Sequence, residues 1–151
     1  MRREWRFERV GWGAIAVVLA AGLAGLFGGD ALASASVSSV DGGAIAHYER
    51  IVRHGALSRV ELRLAPAATG DSTVVVSIDE EYLRDMDLQR VAPAPLRVRA
   101  SSGRVEFHLL RLDPAQPMTV VLSLQPGAAG SRRAALRTNH GVLDLRQLVL
   151  P

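Results

Sequence analysis

The sequence predicts an all-β protein, an antiparallel immunoglobulin-like β-sandwich preceded by one N-terminal transmembrane α-helix. Residues 10–29 carry no charged side chain. The rest of the chain contains about eight short runs of alternating or β-branched residues, separated by Gly, Pro, Asn and Ser, which is typical of a sandwich. Cysteine is absent, so packing rather than disulfides must hold this domain together. A small β-barrel is the alternative arrangement of the same strands.

The apolar segment 10–29 is long enough to cross a bilayer, because a helix of this length at about 1.5 Å per residue spans about 30 Å. Arginines precede it within residues 1–9, and no basic residue follows it until Arg50. Basic residues stay on the cytoplasmic side. We therefore expect a cytoplasmic basic segment, 1–9, and an extracytoplasmic C-terminal part in the periplasm, with the helix in a bacterial inner membrane.

Cleavage of the same segment as a secretory signal is the alternative interpretation. Ala31-Leu32-Ala33 and Ala33-Ser34-Ala35 present small residues at the spacing that signal peptidase accepts. Cleavage near Ala33 or Ala35 would release a soluble exported binding protein. The retained anchor is preferred, because the apolar run exceeds the usual 7–15 residues of a signal and two acids, Glu4 and Glu8, dilute its positive flank.

Small residues recur every four positions along the predicted helix, where they would allow a second helix to approach closely. We expect this face to pack against a membrane-protein partner or a second copy of the chain; its members are Ala16, Ala20, Ala24 and Gly28. Residues 30–43 are rich in Ala, Ser, Gly and Asp and are predicted to form a flexible spacer. The β-domain is then predicted over 44–151.

Within that domain the elements follow from alternation and turn residues. Residues 44–53 and 58–65 are predicted to form a hairpin through His54-Gly55-Ala56. Residues 73–79, TVVVSID, form a β-branched run suited to a buried strand. Residues 80–86 are the one helix-like stretch outside the membrane segment, and Asp79 is a candidate N-cap.

The remaining strands are predicted on the same grounds. Pro93 and Pro95 end a short strand over 88–92. The other predicted strands are 96–100 and 104–112 around Ser101-Ser102-Gly103, then 118–125, and then 132–138 and 142–150 around Asn139-His140-Gly141. Both tryptophans lie at or before residue 12, so the likeness to immunoglobulin domains concerns architecture only.

Four segments of the chain resemble an uncharacterised family of short bacterial single-pass membrane proteins with an extracytoplasmic β-domain. These segments are RREWRFERVGW before the apolar run, GLFG at its end, HYERIVRHGA, and the closing LRQLVLP. The resemblance covers most of the chain and implies an uncleaved anchor. It implies no activity and no site residues.

The sequence shows no catalytic, cofactor-binding or metal-binding pattern. Its histidines form no close pair on one element, as a zinc site usually requires, and the serine-hydrolase motif G-x-S-x-G is missing. The acids of segment 79–87 are candidate Ca²⁺ ligands, but their spacing is unlike that of an EF-hand loop. We therefore predict that the protein is not an enzyme; an envelope enzyme whose site is assembled only by the fold is the alternative.

Two pairs of arginines are the candidate interaction surface. Arg59 and Arg63 alternate on one predicted strand, and Arg97 and Arg99 on another, so each pair shares a sheet face. They could meet anionic headgroups or an acidic partner. A net charge of +3 gives no nucleic-acid footprint. The predicted function is a membrane-anchored interaction or accessory module for an envelope or membrane partner.

Overall fold

The computed structural model describes residues 11–13, 15–17, 19, 33–67, 70 and 72–151. Contacts divide the chain into two units, Met1–Ala33 and Ser34–Pro151. In the first unit the described residues 11–13, 15–17 and 19 are helical. Within the described part of the chain, no helix is both long and apolar enough to cross a membrane.

Most of the predicted anchor 10–29 lies outside the described residues. Of its predicted packing face, Ala16 is helical and exposed, whereas Ala20, Ala24 and Gly28 lie outside the described residues.

The described residues of the second unit form two sheets and one short helix. The five-stranded sheet has the order β1 (Ser34–Ser38), β2 (Ala44–Glu49), β4 (Ser58–Leu64), β9 (Met118–Pro126), β6 (Met86–Ala92). The six-stranded sheet has the order β3 (Ile51–Arg53), β11 (Gly141–Leu150), β10 (Gly130–Thr138), β5 (Thr73–Asp79), β8 (Arg104–Leu110), β7 (Arg97–Ser101). Neighbouring strands are antiparallel except for β3 and β11, which are parallel.

Alternating side chains from both sheets form one hydrophobic core. Along β4, Val60, Leu62 and Leu64 are buried, while Arg59 and Arg63 face solvent. The predicted strand TVVVSID forms β5 and lies between β10 and β8, as its β-branched residues favour. The predicted all-β sandwich is confirmed, and the division into two sheets excludes the barrel alternative.

The predicted flexible spacer 30–43 contains a β-strand in its middle. Ser34–Ser38 forms strand β1, which pairs along its length with β2. Ala35 and Val37 pack against the core, while Ser36, between them, faces solvent. The β-domain therefore begins at Ser34 rather than at Ala44. The sequence did not predict this strand, because its inward residues carry little apolar surface.

The predicted hairpin of residues 44–53 with 58–65 is confirmed for residues 44–49 and wrong for residues 51–53. β2 pairs with β4 as predicted. Residues Ile51–Arg53 instead cross to the other sheet and pair in parallel with the end of β11. The chain therefore links the two sheets within a few residues of Arg50.

The predicted helix is confirmed as α1, Glu80–Asp85. Asp79 occupies its N-cap position but makes no side-chain cap hydrogen bond. Its carboxylate instead accepts a hydrogen bond from the Ala135 amide of β10 at 2.9 Å and lies 3.5 Å from Arg104. Asp79 thus joins three strands of the six-stranded sheet rather than capping the helix.

Candidate functional site

The four candidate arginines lie on different sheets. Arg59 and Arg63 lie on β4 of the five-stranded sheet, and Arg97 and Arg99 lie on β7 of the six-stranded sheet. Each pair shares a face, but the two pairs do not form one surface. Arg63 is held by Glu61, with Nε 3.0 Å from Oε1. The other three guanidinium groups form no ion pair with any described residue.

Arg97 and Arg99 belong to an exposed sheet edge. Strand β7 is the last strand of its sheet and pairs only with β8 among the described strands. All five of its residues are exposed. Leu96 and Val98 add apolar surface, being 65% and 54% exposed. We call residues 96–101 the β7 edge.

An apolar groove adjoins this edge, at the end of the sandwich where β8 stops and β9 starts. Its volume is about 530 Å³, which is within the range of small-molecule sites. Its apolar lining comes from the segments that flank β7, β8 and β9, namely Pro93, Leu96, Leu110, Leu112, Pro117 and Met118. We call this feature the β8–β9 groove.

Arg111 is the charged residue that distinguishes this groove. It lines the groove although it is only 3% exposed. It follows β8, where Leu109 points inward and Leu110 outward, so alternation turns Arg111 toward the space between the sheets. Its amide donates to the Ser72 carbonyl at 2.7 Å. Its side-chain Nε and Nη1 are buried and have no hydrogen-bond partner among the described residues.

Such a guanidinium is unusual, because buried polar groups are nearly always hydrogen-bonded and buried cations are paired. One acid, Asp113, also lines the groove. It is exposed, and its Oδ1 accepts a hydrogen bond from the Ala115 amide at 2.9 Å. A buried cation beneath an apolar groove therefore has unused donors, while the only acid along the described lining sits at the rim.

A second buried polar cluster is fully paired and has a structural role. The Tyr82 hydroxyl donates to Oε1 of Gln147, whose Nε2 donates to the Glu49 carbonyl at 2.7 Å and approaches Ser58 Oγ at 3.4 Å. Burial, and to a lesser degree the charge of Tyr48, raises the pKa of Tyr82 far above its usual range. No sequence pattern predicts this cluster, because its members are far apart along the chain.

The acidic segment considered for Ca²⁺ is largely neutralised by arginines. Asp79 lies 3.5 Å from Arg104, Glu80 lies 3.5 Å from Arg84, and Asp85 lies 3.2 Å from Arg132. The described part of the chain brings no three His, Asp or Glu side chains together in a way that could hold a metal ion. The Ca²⁺ hypothesis therefore gains no support.

Comparison with protein-family models and with curated proteins finds no match. Among solved structures, a cohesin module from a Clostridium perfringens family 33 glycoside hydrolase is 12% identical, with a TM-score of 0.47 over 76% of this chain and 98% of that chain. The C-terminal domain of the Streptococcus agalactiae AgI/II polypeptide BspA is 11% identical, with a TM-score of 0.44 over 78% of this chain and 49% of that chain.

An uncharacterized Nocardia farcinica protein with an immunoglobulin-like fold is 18% identical, with a TM-score of 0.33 over 71% of this chain and 80% of that chain. Likenesses at this level carry no argument about activity. The fold assignment rests on the strand order of the chain itself.

Proposed function

We propose that this protein is a non-enzymatic, membrane-anchored interaction module of the bacterial envelope, with an immunoglobulin-like sandwich on the periplasmic side. It belongs, in this proposal, to the family of short single-pass membrane proteins that its sequence resembles. The observation that carries the interaction role is the β7 edge. Its five strand residues are all exposed, and its outer side is unpaired by any described strand.

The β7 edge is neither shortened nor bulged, as two other edges of the sandwich are. Natural proteins blunt edge strands by shortening them, by bulges or by charged residues. The edge strand β3 has three residues, and β6 is interrupted by a register shift between Leu88 and Arg90. β7 is regular over its length and keeps an exposed apolar residue, Val98, between its two arginines. An extended segment can therefore add to it as a further strand.

Charge indicates the kind of segment that fits. Arg97 and Arg99 alternate along β7, so both point to one face of the sheet. A partner strand with acidic residues at every second position would place opposite charges across the new pair. Pairing of two copies of β7 would bring arginines together and is disfavoured, since like charges across strands are destabilising.

Site-specific photo-crosslinking tests this proposal. A photoreactive amino acid replaces Val98 in the full-length chain, expressed in a bacterial host, and mass spectrometry identifies the crosslinked segment. We expect a segment with Asp or Glu at alternate positions. The double variant R97E/R99E should abolish the crosslink, whereas R59E/R63E, on the other sheet, should preserve it. A crosslink that survives R97E/R99E, or that joins two copies of the chain, would contradict the proposal.

The exported soluble binding protein is the second candidate, and one structural observation favours it. The β-domain begins at Ser34, directly after the small-residue motif that ends at Ala33, where a signal peptidase could cut. Intact mass and membrane fractionation distinguish the two candidates. Full-length mass in a carbonate-resistant membrane pellet supports the anchor; a soluble periplasmic product starting at Ser34 or Ser36 supports cleavage.

A further inference from the structure

We propose that the β8–β9 groove is a binding site for a small aliphatic carboxylate, whose carboxylate pairs with the guanidinium of Arg111 and whose hydrocarbon chain lies along the apolar lining. This ligand site adjoins the β7 edge, with which it shares Leu96, but it is a different kind of site from the strand pairing proposed there. It rests on a different observation: the buried side chain of Arg111 has two nitrogens, Nε and Nη1, without a hydrogen-bond partner among the described residues.

The head group follows from the chemistry of Arg111. A guanidinium presents its N–H donors in a planar fork that matches the two oxygens of a carboxylate. Nε and Nη1 have no acceptor among the described residues, so a bound carboxylate would supply what this cation lacks. Burial strengthens such a pair, because the local dielectric is lower than in water. A neutral amide of the same size could satisfy donors only in part and would leave the charge unpaired.

The tail follows from the lining. The groove is built mainly from prolines, leucines and Met118, which offer apolar contact and few polar groups for a hydroxylated or highly charged ligand. A volume of about 530 Å³ suits a small molecule rather than a protein surface. The only described acid of the lining, Asp113, is at the exposed rim, where solvent screens its repulsion of an anion.

Access requires movement of side chains at the rim. Nε and Nη1 of Arg111 have almost no solvent-accessible surface. Met118, which is half-buried, unbranched and flexible, is the lining side chain most able to move aside. Binding therefore opens the floor of the groove and exchanges an unpaired buried cation for a paired one.

The test is a ligand-observed NMR titration of the full-length protein in lipid nanodiscs, with empty nanodiscs as the reference. The probes are acetate, butyrate, hexanoate and hexanamide. We expect the dissociation constant to fall about fourfold per added methylene, or about 15-fold from butyrate to hexanoate. Hexanamide should bind at least about tenfold more weakly than hexanoate, because it lacks the charge that pairs with a guanidinium.

Variants separate the guanidinium from the rest of the groove. R111M should remove the preference for hexanoate over hexanamide, and R111K should retain a reduced preference, because it keeps the charge without the planar fork. R59M, an exposed arginine on the other sheet, should leave both affinities unchanged. R97E/R99E should also leave them unchanged, so failure of this site and failure of the β7 edge are distinguishable.

Several results would overturn the assignment. These are equal affinities for hexanoate and hexanamide, no dependence on chain length, or an R111M variant that binds like the wild type. The variant D71N is included because Asp71, which lies outside the described residues, precedes Ser72, whose carbonyl accepts from the Arg111 amide. A tenfold gain in the hexanoate affinity of D71N would show that the Asp71 carboxylate pairs with Arg111 in the wild type, against the assignment of an unpaired guanidinium. Binding of a peptide with a free hydrophobic C-terminus, but not of hexanoate, would assign the groove to a protein partner instead.

Discussion

Replacing Arg111 by methionine should stabilise the β-domain, although the residue is almost completely buried. Each buried donor without a partner costs about 1–3 kcal/mol, and two donors of Arg111, Nε and Nη1, have no partner in the part of the chain that the structure describes. Methionine removes both and keeps an unbranched apolar stem in the same space. Allowing for some lost packing, we expect the free energy of unfolding to rise by about 1–3 kcal/mol.

Thermal unfolding of the full-length protein, followed by far-UV circular dichroism, measures this gain. For a domain of about 120 residues, 1 kcal/mol corresponds to about 4 °C in Tm, so R111M should raise Tm by about 4–12 °C. The matched control R59M removes an exposed arginine and should change stability by less than about 0.5 kcal/mol. A loss of stability in R111M would show that the guanidinium has a partner in the free protein, and would refute the reasoning.

Three further predictions concern the paired polar groups. Tyr82→Phe leaves the Gln147 acceptor unsatisfied and should lower the free energy of unfolding, measured in urea, by about 1–3 kcal/mol. Gln147→Met should cost less stability in the Tyr82→Phe background than in the wild type, and strictly additive losses would contradict a hydrogen bond between the two side chains. Because the pKa of Tyr82 is raised by folding, stability should be full below about pH 10 and fall as the pH rises further; Tyr82→Phe should flatten that fall, and an unchanged pH profile would exclude this cause. Asp79→Ala leaves the Ala135 amide without its acceptor and should lower the free energy of unfolding by about 1–2 kcal/mol. Glu61→Ala removes only an exposed ion pair and should lower it by less than about 1 kcal/mol in the same assay; equal losses would show that the hydrogen bond to the Ala135 amide adds no stability.

The strands that carry strong local patterns were predictable from sequence. Along β4 the alternation of apolar and charged residues fixes which side faces the core, because side chains point to opposite faces of a strand. The β-branched run of β5 and the acidic start of α1 are equally local signals. Strand β1 was missed because its local pattern is weak. Ser34–Ser38 contains three serines, with only Ala35 and Val37 as apolar residues, so its pairing with β2 is visible only once the core supplies a surface for these two side chains.

The candidate sites depended on how the sheets come together. The sequence placed Arg59 with Arg63 and Arg97 with Arg99, but only the strand order showed that the two pairs lie on different sheets. Arg111 did leave a signal, since the period-two series Val105, Phe107 and Leu109 continues into it and turns it inward. That pattern was easy to miss, because a charged residue at the end of a strand usually faces water.

The sequence by itself determined the class of the domain, most of its strands and the inward side of those strands that alternate clearly, and it led to the expectation of an N-terminal anchor. These features depend on residues that are close together in the sequence, so local patterns are enough to predict them. Only the tertiary structure decided which strands lie at the sheet edges, that the chain passes from one sheet to the other between β2 and β3, and that Arg111 is buried at an apolar groove. Those features depend on contacts between segments far apart in the chain, because burial and pairing are properties of the assembled sheets rather than of any one strand.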